Sequence, residues 1–186
     1  MPKLTLPDGV QLYYTDSGGN GRPVVLVHGW PLSGASFDAN VPALVEAGHR
    51  VVTYDRRGFG RSDKPAEGYD YDTLASDLND LITELDLTDA VLLGFSMGGG
   101  EVARYIGTYG EGRLAGAVLS GSITPALAKT EDNPDGAMPP EAFEDMARQC
   151  EADQAAFIEQ FTTWFYSNNE GLTVPDAVRR EALAIA

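Results

Sequence analysis

Short apolar runs alternate along the first 121 residues with longer amphipathic stretches, and Gly, Asn, Asp and Pro cluster between them. Pro23-Val-Val-Leu-Val27, Arg50-Val-Val-Thr-Tyr54, Ala90-Val-Leu-Leu-Gly94 and Leu114-Ala-Gly-Ala-Val-Leu-Ser120 are too short for helices and rich in β-branched or aliphatic residues. They predict buried parallel strands. Lys3 to Leu6 and Gln11 to Thr15 flank Pro7-Asp8-Gly9, a turn sequence that predicts a hairpin at the sheet edge. Tyr71, Leu74, Ala75, Leu78, Leu81, Ile82 and Leu85 recur at helical spacing, with Asp70 or Asp72 placed to cap the first turn. Phe37 to Ala47 predicts a second helix, interrupted by Pro42, and Met97 to Tyr109 a third that starts directly after the Ala90 strand. The alternation is that of an α/β domain, a mostly parallel sheet with helices on both faces.

The pattern changes at Ser122. The last 65 residues hold 12 Asp+Glu against 4 Lys+Arg and carry no convincing strand, so two domains are drawn, a core over 1–121 and a helical cap segment over 122–186. Phe143, Met146, Ala147 and Cys150 mark one helical face; Phe157, Ile158, Phe161, Trp164 and Phe165 mark another, capped by Asp153. Such an aromatic stripe signals packing first, and a lid over a pocket would satisfy packing and ligand contact together.

Composition narrows the function. With 43% apolar residues the chain can bury a sizeable core, and a formal charge of −15 repels phosphate backbones and anionic lipid. Nucleic acid and membrane surfaces are excluded as partners, leaving neutral or cationic small molecules. No apolar run approaches the roughly 18 residues of a membrane span, and Met1 to Val10 lacks a signal-peptide pattern; the expected location is cytoplasmic. The single cysteine, Cys150, allows neither an internal disulfide nor a multi-cysteine metal site.

Gly94-Phe95-Ser96-Met97-Gly98 fits G-x-S-x-G between an apolar strand and a helix start, the context that this pattern requires. A sharp strand-to-helix turn forces the serine to positive φ, and the flanking glycines supply room where any side chain would meet backbone. The turn presents the Ser96 hydroxyl over a helix N-terminus, where the Met97 N–H is placed to face an oxyanion. Gly99 and Gly100 read as packing positions. His28-Gly29-Trp30-Pro31 follows the Pro23 strand, so both motifs lie at carboxyl ends of strands, where open α/β sheets place ligands. Trp30 has an N–H to give as second oxyanion donor, whereas Pro31 has none. Phe95 and Trp30 are the candidate substrate-binding side chains.

His28-Gly-Trp-Pro-Leu-Ser-Gly-Ala-Ser36, Asp55-Arg-Arg-Gly-Phe-Gly-Arg-Ser62 and Gly94-Phe-Ser-Met-Gly-Gly-Gly-Glu101 together resemble the α/β-hydrolase superfamily, and within it the cofactor-free haloperoxidase, perhydrolase and arylesterase branch. The resemblance runs from the leading hairpin to the cap helices. It implies Ser96 as nucleophile, Trp30 and Met97 as backbone oxyanion donors, an acyl pocket to which Trp30 contributes, and a Pro31-shaped loop through which hydrogen peroxide can act as nucleophile. It implies no cofactor and no metal.

A serine nucleophile needs a base and an orienting acid. Only His28 and His49 are available. In the family His28 belongs to the oxyanion loop, and His49 precedes the Arg50 strand, about 17 Å from the opposite sheet edge at roughly 3.3 Å per residue. Asp55 follows a strand, but Asp-x-x-Gly-x-Gly-x-Ser reads as a structural turn and precedes the nucleophile. The family's acid and histidine come after later strands. Finding none, the sequence predicts a chain truncated at its C-terminus, with C-terminal strands missing and the triad acid and His absent. Two functional expectations follow: a serine hydrolase of small neutral esters, acting through an acyl-enzyme on Ser96 and nearly inactive in this form, or a non-catalytic fragment that binds ligand or self-associates through the exposed flank of the Leu114 strand.

Overall fold

A computed structural model describes residues 3–124 and 126–186 and divides into two compact units, Met1–Thr124 and Pro125–Ala186. The first is built on a six-stranded mixed sheet of β1 (Lys3–Thr5), β2 (Gln11–Asp16), β3 (Pro23–Val27), β4 (Arg50–Tyr54), β5 (Ala90–Phe95) and β6 (Leu114–Ser120), in the order β1-β2-β4-β3-β5-β6. The leading hairpin and the β2–β4 pair are antiparallel, and β4, β3, β5 and β6 run parallel. Successive side chains of a strand point to opposite faces. Val25 and Val27 therefore pack with Val52, Tyr54 and the helices on one face, while Val24, Leu26 and Val51 pack with Phe37 on the other. Burial on both faces is why the central strands read as unbroken apolar runs.

Helix α1 (Val41–Glu46) lies on the Phe37 side; α2 (Tyr71–Glu84) and α3 (Met97–Tyr109) cover the opposite face. The single helix expected over Phe37 to Ala47 is two elements, a 3-10 turn at Gly34–Phe37 and α1. Pro42 falls in the first turn of α1, where its missing N–H would have had no intrahelical acceptor anyway. The Asp70 side chain caps α2, accepting from Thr73 N at 2.9 Å, and Leu74, Leu78, Leu81 and Ile82 are fully buried, each worth about 1.5–3 kcal/mol.

The second unit contains α4 (Pro140–Ala152), α5 (Gln154–Phe165), a minimal hairpin of β7 (Ser167–Asn168) and β8 (Gly171–Leu172), and α6 (Asp176–Ile185). Asp153 caps α5 through Ala156 N. Phe157 and Ile158 are buried, whereas Trp164 and Phe165 are 52% and 51% exposed, so the aromatic stripe is only partly given to packing.

The expectation of a truncated chain with C-terminal strands missing is corrected here. After β6 the described residues continue through three α-helices and a hairpin, and α6 is an ordered helix with Ala182 buried. The segment expected to carry no convincing strand holds these helices with the short β7–β8 hairpin between them. No helix among the described residues is long and apolar enough to cross a membrane. At the sheet margin, β6 leaves Val118 and Leu119 46% and 49% exposed.

Candidate active site

Strand register brings the two glycine-containing motifs together. Val27 of β3 pairs with Gly94 of β5, so the loop that starts at His28 and the turn at Ser96 leave the sheet side by side. A β-carbon on Gly29 would lie 3.1 Å from both Phe95 Cδ1 and Ser96 Cβ, so any larger residue there would have to push Phe95 or Ser96 by a few tenths of an ångström.

Ser96 adopts φ 53°, ψ −118°, a conformation costing a non-glycine residue about 1–3 kcal/mol. Its backbone is held on all sides: Ser96 N donates to Ser120 O at 3.0 Å, and Ser96 O accepts from Gly99 N at 3.0 Å and Ile123 N at 3.3 Å. A β-carbon on Gly94 would sit 2.6 Å from Gly98 O and Gly99 Cα, and one on Gly98 would collide with the carbonyl of Val27. A β-carbon on Gly99 or Gly100 would meet Ser122 or the Tyr71 ring, so these two permit close packing around the start of α3. Met97 opens α3, and a first-turn N–H has no acceptor within its helix. Phe95, Ser96, Met97 and Trp30 are half-buried.

The 55–62 turn is an anchor for this region. Asp55 is buried and its two carboxylate oxygens accept from Gly34 N and Arg61 N, each at 2.8 Å. Arg57 grips Asp77 of α2 at 2.6 and 2.7 Å. Asp55 is thus committed to backbone donors.

His28 is fully buried and its ring is spoken for. Nε2 accepts from Arg56 N at 3.1 Å, which leaves the ring proton on Nδ1 to donate to Gly29 O at 2.9 Å. Burial, then the Arg56 charge, hold its pKa well below the usual 6.5, so it is a neutral structural group. His49 lies before β4, at the opposite end of the parallel strands from Ser96. No imidazole or carboxylate among the described residues hydrogen-bonds the Ser96 hydroxyl, and none forms a group of three or more His, Cys, Asp or Glu placed to hold a metal ion.

One cluster beside the site escaped the sequence reading. Tyr54, Arg56 and Glu101 are buried together: Glu101 accepts the Tyr54 hydroxyl, its second oxygen lies 3.5 Å from Arg56 Nε, and Arg56 Nη2 donates to the His28 carbonyl. Burial raises the Glu101 carboxyl to about 7 against the opposing pull of Arg56 and Tyr54. A signal existed, because Gly98, Glu101, Val102 and Tyr105 form the buried stripe of α3 at the i, i+3, i+4, i+7 spacing.

The family model described as the alpha/beta hydrolase fold matches residues 22–181. The chain belongs to the α/β-hydrolase fold family. It is 47% identical over 169 residues to a non-heme chloroperoxidase of Kitasatospora aureofaciens, covering 91% of this chain and 61% of that protein. A bifunctional esterase/perhydrolase of Acinetobacter calcoaceticus is 39% identical, over 96% of this chain and 65% of its own length. The crystal structure of a bromoperoxidase from Bacillus anthracis superposes with a TM-score of 0.90 at 49% identity, covering 95% of this chain and 64% of that one. The chain therefore spans less than two thirds of the length of these α/β-hydrolase relatives, and they match nearly all of it.

Proposed function

We propose that this α/β-hydrolase is an esterase-type serine hydrolase of small neutral esters, with Ser96 as nucleophile and the N–H groups of Trp30 and Met97 as oxyanion donors. The observation that carries the reading is the positive-φ Ser96, fixed between β5 and α3 with Gly29 of the neighbouring loop against it. Ser96 Oγ bonds to the ester carbonyl carbon, the oxyanion forms between the two N–H groups, and its collapse expels the alcohol, which leaves with the serine proton. Water then cleaves the acyl-enzyme to release the acid and restore the serine. Hydrogen peroxide in place of water gives a peracid, a side activity supported by the haloperoxidase and perhydrolase names of relatives. Phe95 and Trp30 line the acyl side of the pocket in this reading, and the charge of −15 favours uncharged substrates over anions.

Because no described side chain takes the Ser96 proton, turnover by the chain alone is expected to be slow; loss of the base in a serine hydrolase costs about a million-fold. The test is hydrolysis of p-nitrophenyl acetate with Ser96→Ala as control. Serine-dependent turnover supports the reading, and equal rates for the two proteins overturn it.

A second reading, self-association through β6, is favoured by the exposed Val118 and Leu119 on an edge strand. Light scattering across concentration tests it: a mass that grows with concentration and is held down by Val118→Lys supports it, and a monomer throughout overturns it.

A further inference from the structure

The Arg56 guanidinium is fully buried and, unlike a carboxyl, cannot shed its charge. Among the described residues Glu101 is its one ion-pair partner, and the Phe59 ring stands 5.4 Å away. From that position Arg56 grips the oxyanion loop at its first residue, where its side chain donates to the His28 carbonyl and its backbone N–H to His28 Nε2. His28 in turn closes on Gly29 O, which also accepts from Leu32 N at 3.0 Å. A chain of contacts thus leads from the Glu101 carboxylate through Arg56 and His28 to the peptide preceding Trp30.

We infer that Glu101 is a positioning residue for the oxyanion loop: its charge holds the Arg56 guanidinium against the His28 carbonyl, and the loop that carries the Trp30 N–H loosens when that charge is lost. The inference rests on the proposed role of the Trp30 N–H. Burial works against the arrangement, because it favours the neutral carboxyl and sets its titration at about 7. A group that costs stability in its charged form, yet is kept beside a candidate site, is better explained by what it orients than by what it stabilises. The groups facing Glu101 are Tyr54 from β4, Arg56 from the loop after it, and Asp77 and Tyr71 from α2. Tyr54 is pushed well above 10 by burial and then by Glu101, and His28 well below 6.5. Asp77 is clasped by Arg57.

The experiment follows the backbone amides of Gly29 and Trp30 by NMR in the full chain from roughly pH 5.5 to 8.5. A single titration near 7 in the wild type that is missing in Glu101→Gln is the expected result. No titration of these amides in the wild type, or the same titration in the variant, overturns the inference. Hydrogen exchange adds a second reading: the amides of His28, Gly29, Trp30 and Leu32 exchange about ten-fold faster in Glu101→Gln at pH 8 although the melting temperature is unchanged or raised. Faster exchange only in step with a lowered melting temperature marks a merely structural role and overturns it. In the p-nitrophenyl acetate assay the variant loses about ten-fold in kcat with little change in KM, as expected of a misplaced donor. Equal turnover by Ser96→Ala and wild type removes the hydrolase reading alone, since the amide titration still decides the loop.

Discussion

The 94–98 turn after β5 and the 28–31 loop after β3 leave the sheet side by side, yet backbone sterics shape the first and buried charge the second. At Ser96 the strain is held by glycines that have no room for a β-carbon and by three backbone hydrogen bonds. None of those atoms titrates, so the position of Ser96 is expected to be indifferent to pH. The 28–31 loop is held by a guanidinium whose carboxylate partner has its pKa raised to about 7 by burial. The two segments are therefore expected to respond differently to the same change in pH.

The sharpest way to break the comparison is at the steric turn. Gly98→Val drives a side chain into the Val27 and His28 carbonyls, backbone atoms that cannot step aside, and is expected to cost about 3 kcal/mol or more in urea unfolding. The charged loop behaves in the opposite sense. Glu101 has a folded-state pKa raised from 4.5 to about 7, so its contribution to stability is full below the unfolded value and is lost as pH rises through 7. Wild type and Glu101→Gln are expected to be close in stability near pH 5, with the variant ahead by about 2–3 kcal/mol by about pH 8. Unfolding curves at the two pH values check the sign.

Arg56→Met removes the donor to a buried carbonyl and is expected to destabilise by about 1–3 kcal/mol; the orphaned Glu101 limits the damage by taking a proton. The smallest effect is at Ser96 itself. Ser96→Gly relieves the positive φ and should raise the unfolding free energy by about 1 kcal/mol while abolishing any serine-dependent turnover.

Much of the fold was legible because local patterns and tertiary environment agree. The Pro23, Arg50, Ala90 and Leu114 runs are strands within a residue of their expected ends; β3 and β4 are apolar because both faces are buried, whereas β6, expected to be buried, is exposed from Ala115 to Ser120. Asp70 caps α2 because a short acceptor just before an amphipathic run satisfies a donor the helix cannot. Pro42 misled in one place: it begins a helix instead of interrupting one. The 122–186 segment misled in another: its helices were expected, but the short β7–β8 hairpin between them was not. Glu101 was passed over because a charged residue in a helix reads as solvent-facing until its stripe is traced.

The order of residues by itself settled the strands of the sheet and the α2 and α3 helices, and that a serine stands on a glycine-flanked turn between a strand and a helix. Those are properties of short stretches of chain, fixed by periodicity, φ preference and side-chain volume. Strand order and register were decided in three dimensions: only the pairing of β3 with β5 puts Gly29 against Ser96. The same packing closed Tyr54, Arg56, His28 and Glu101, which come from separate segments, into one dry cluster. Burial sets the charge of such groups, and burial exists only once the whole sheet and its helices have come together.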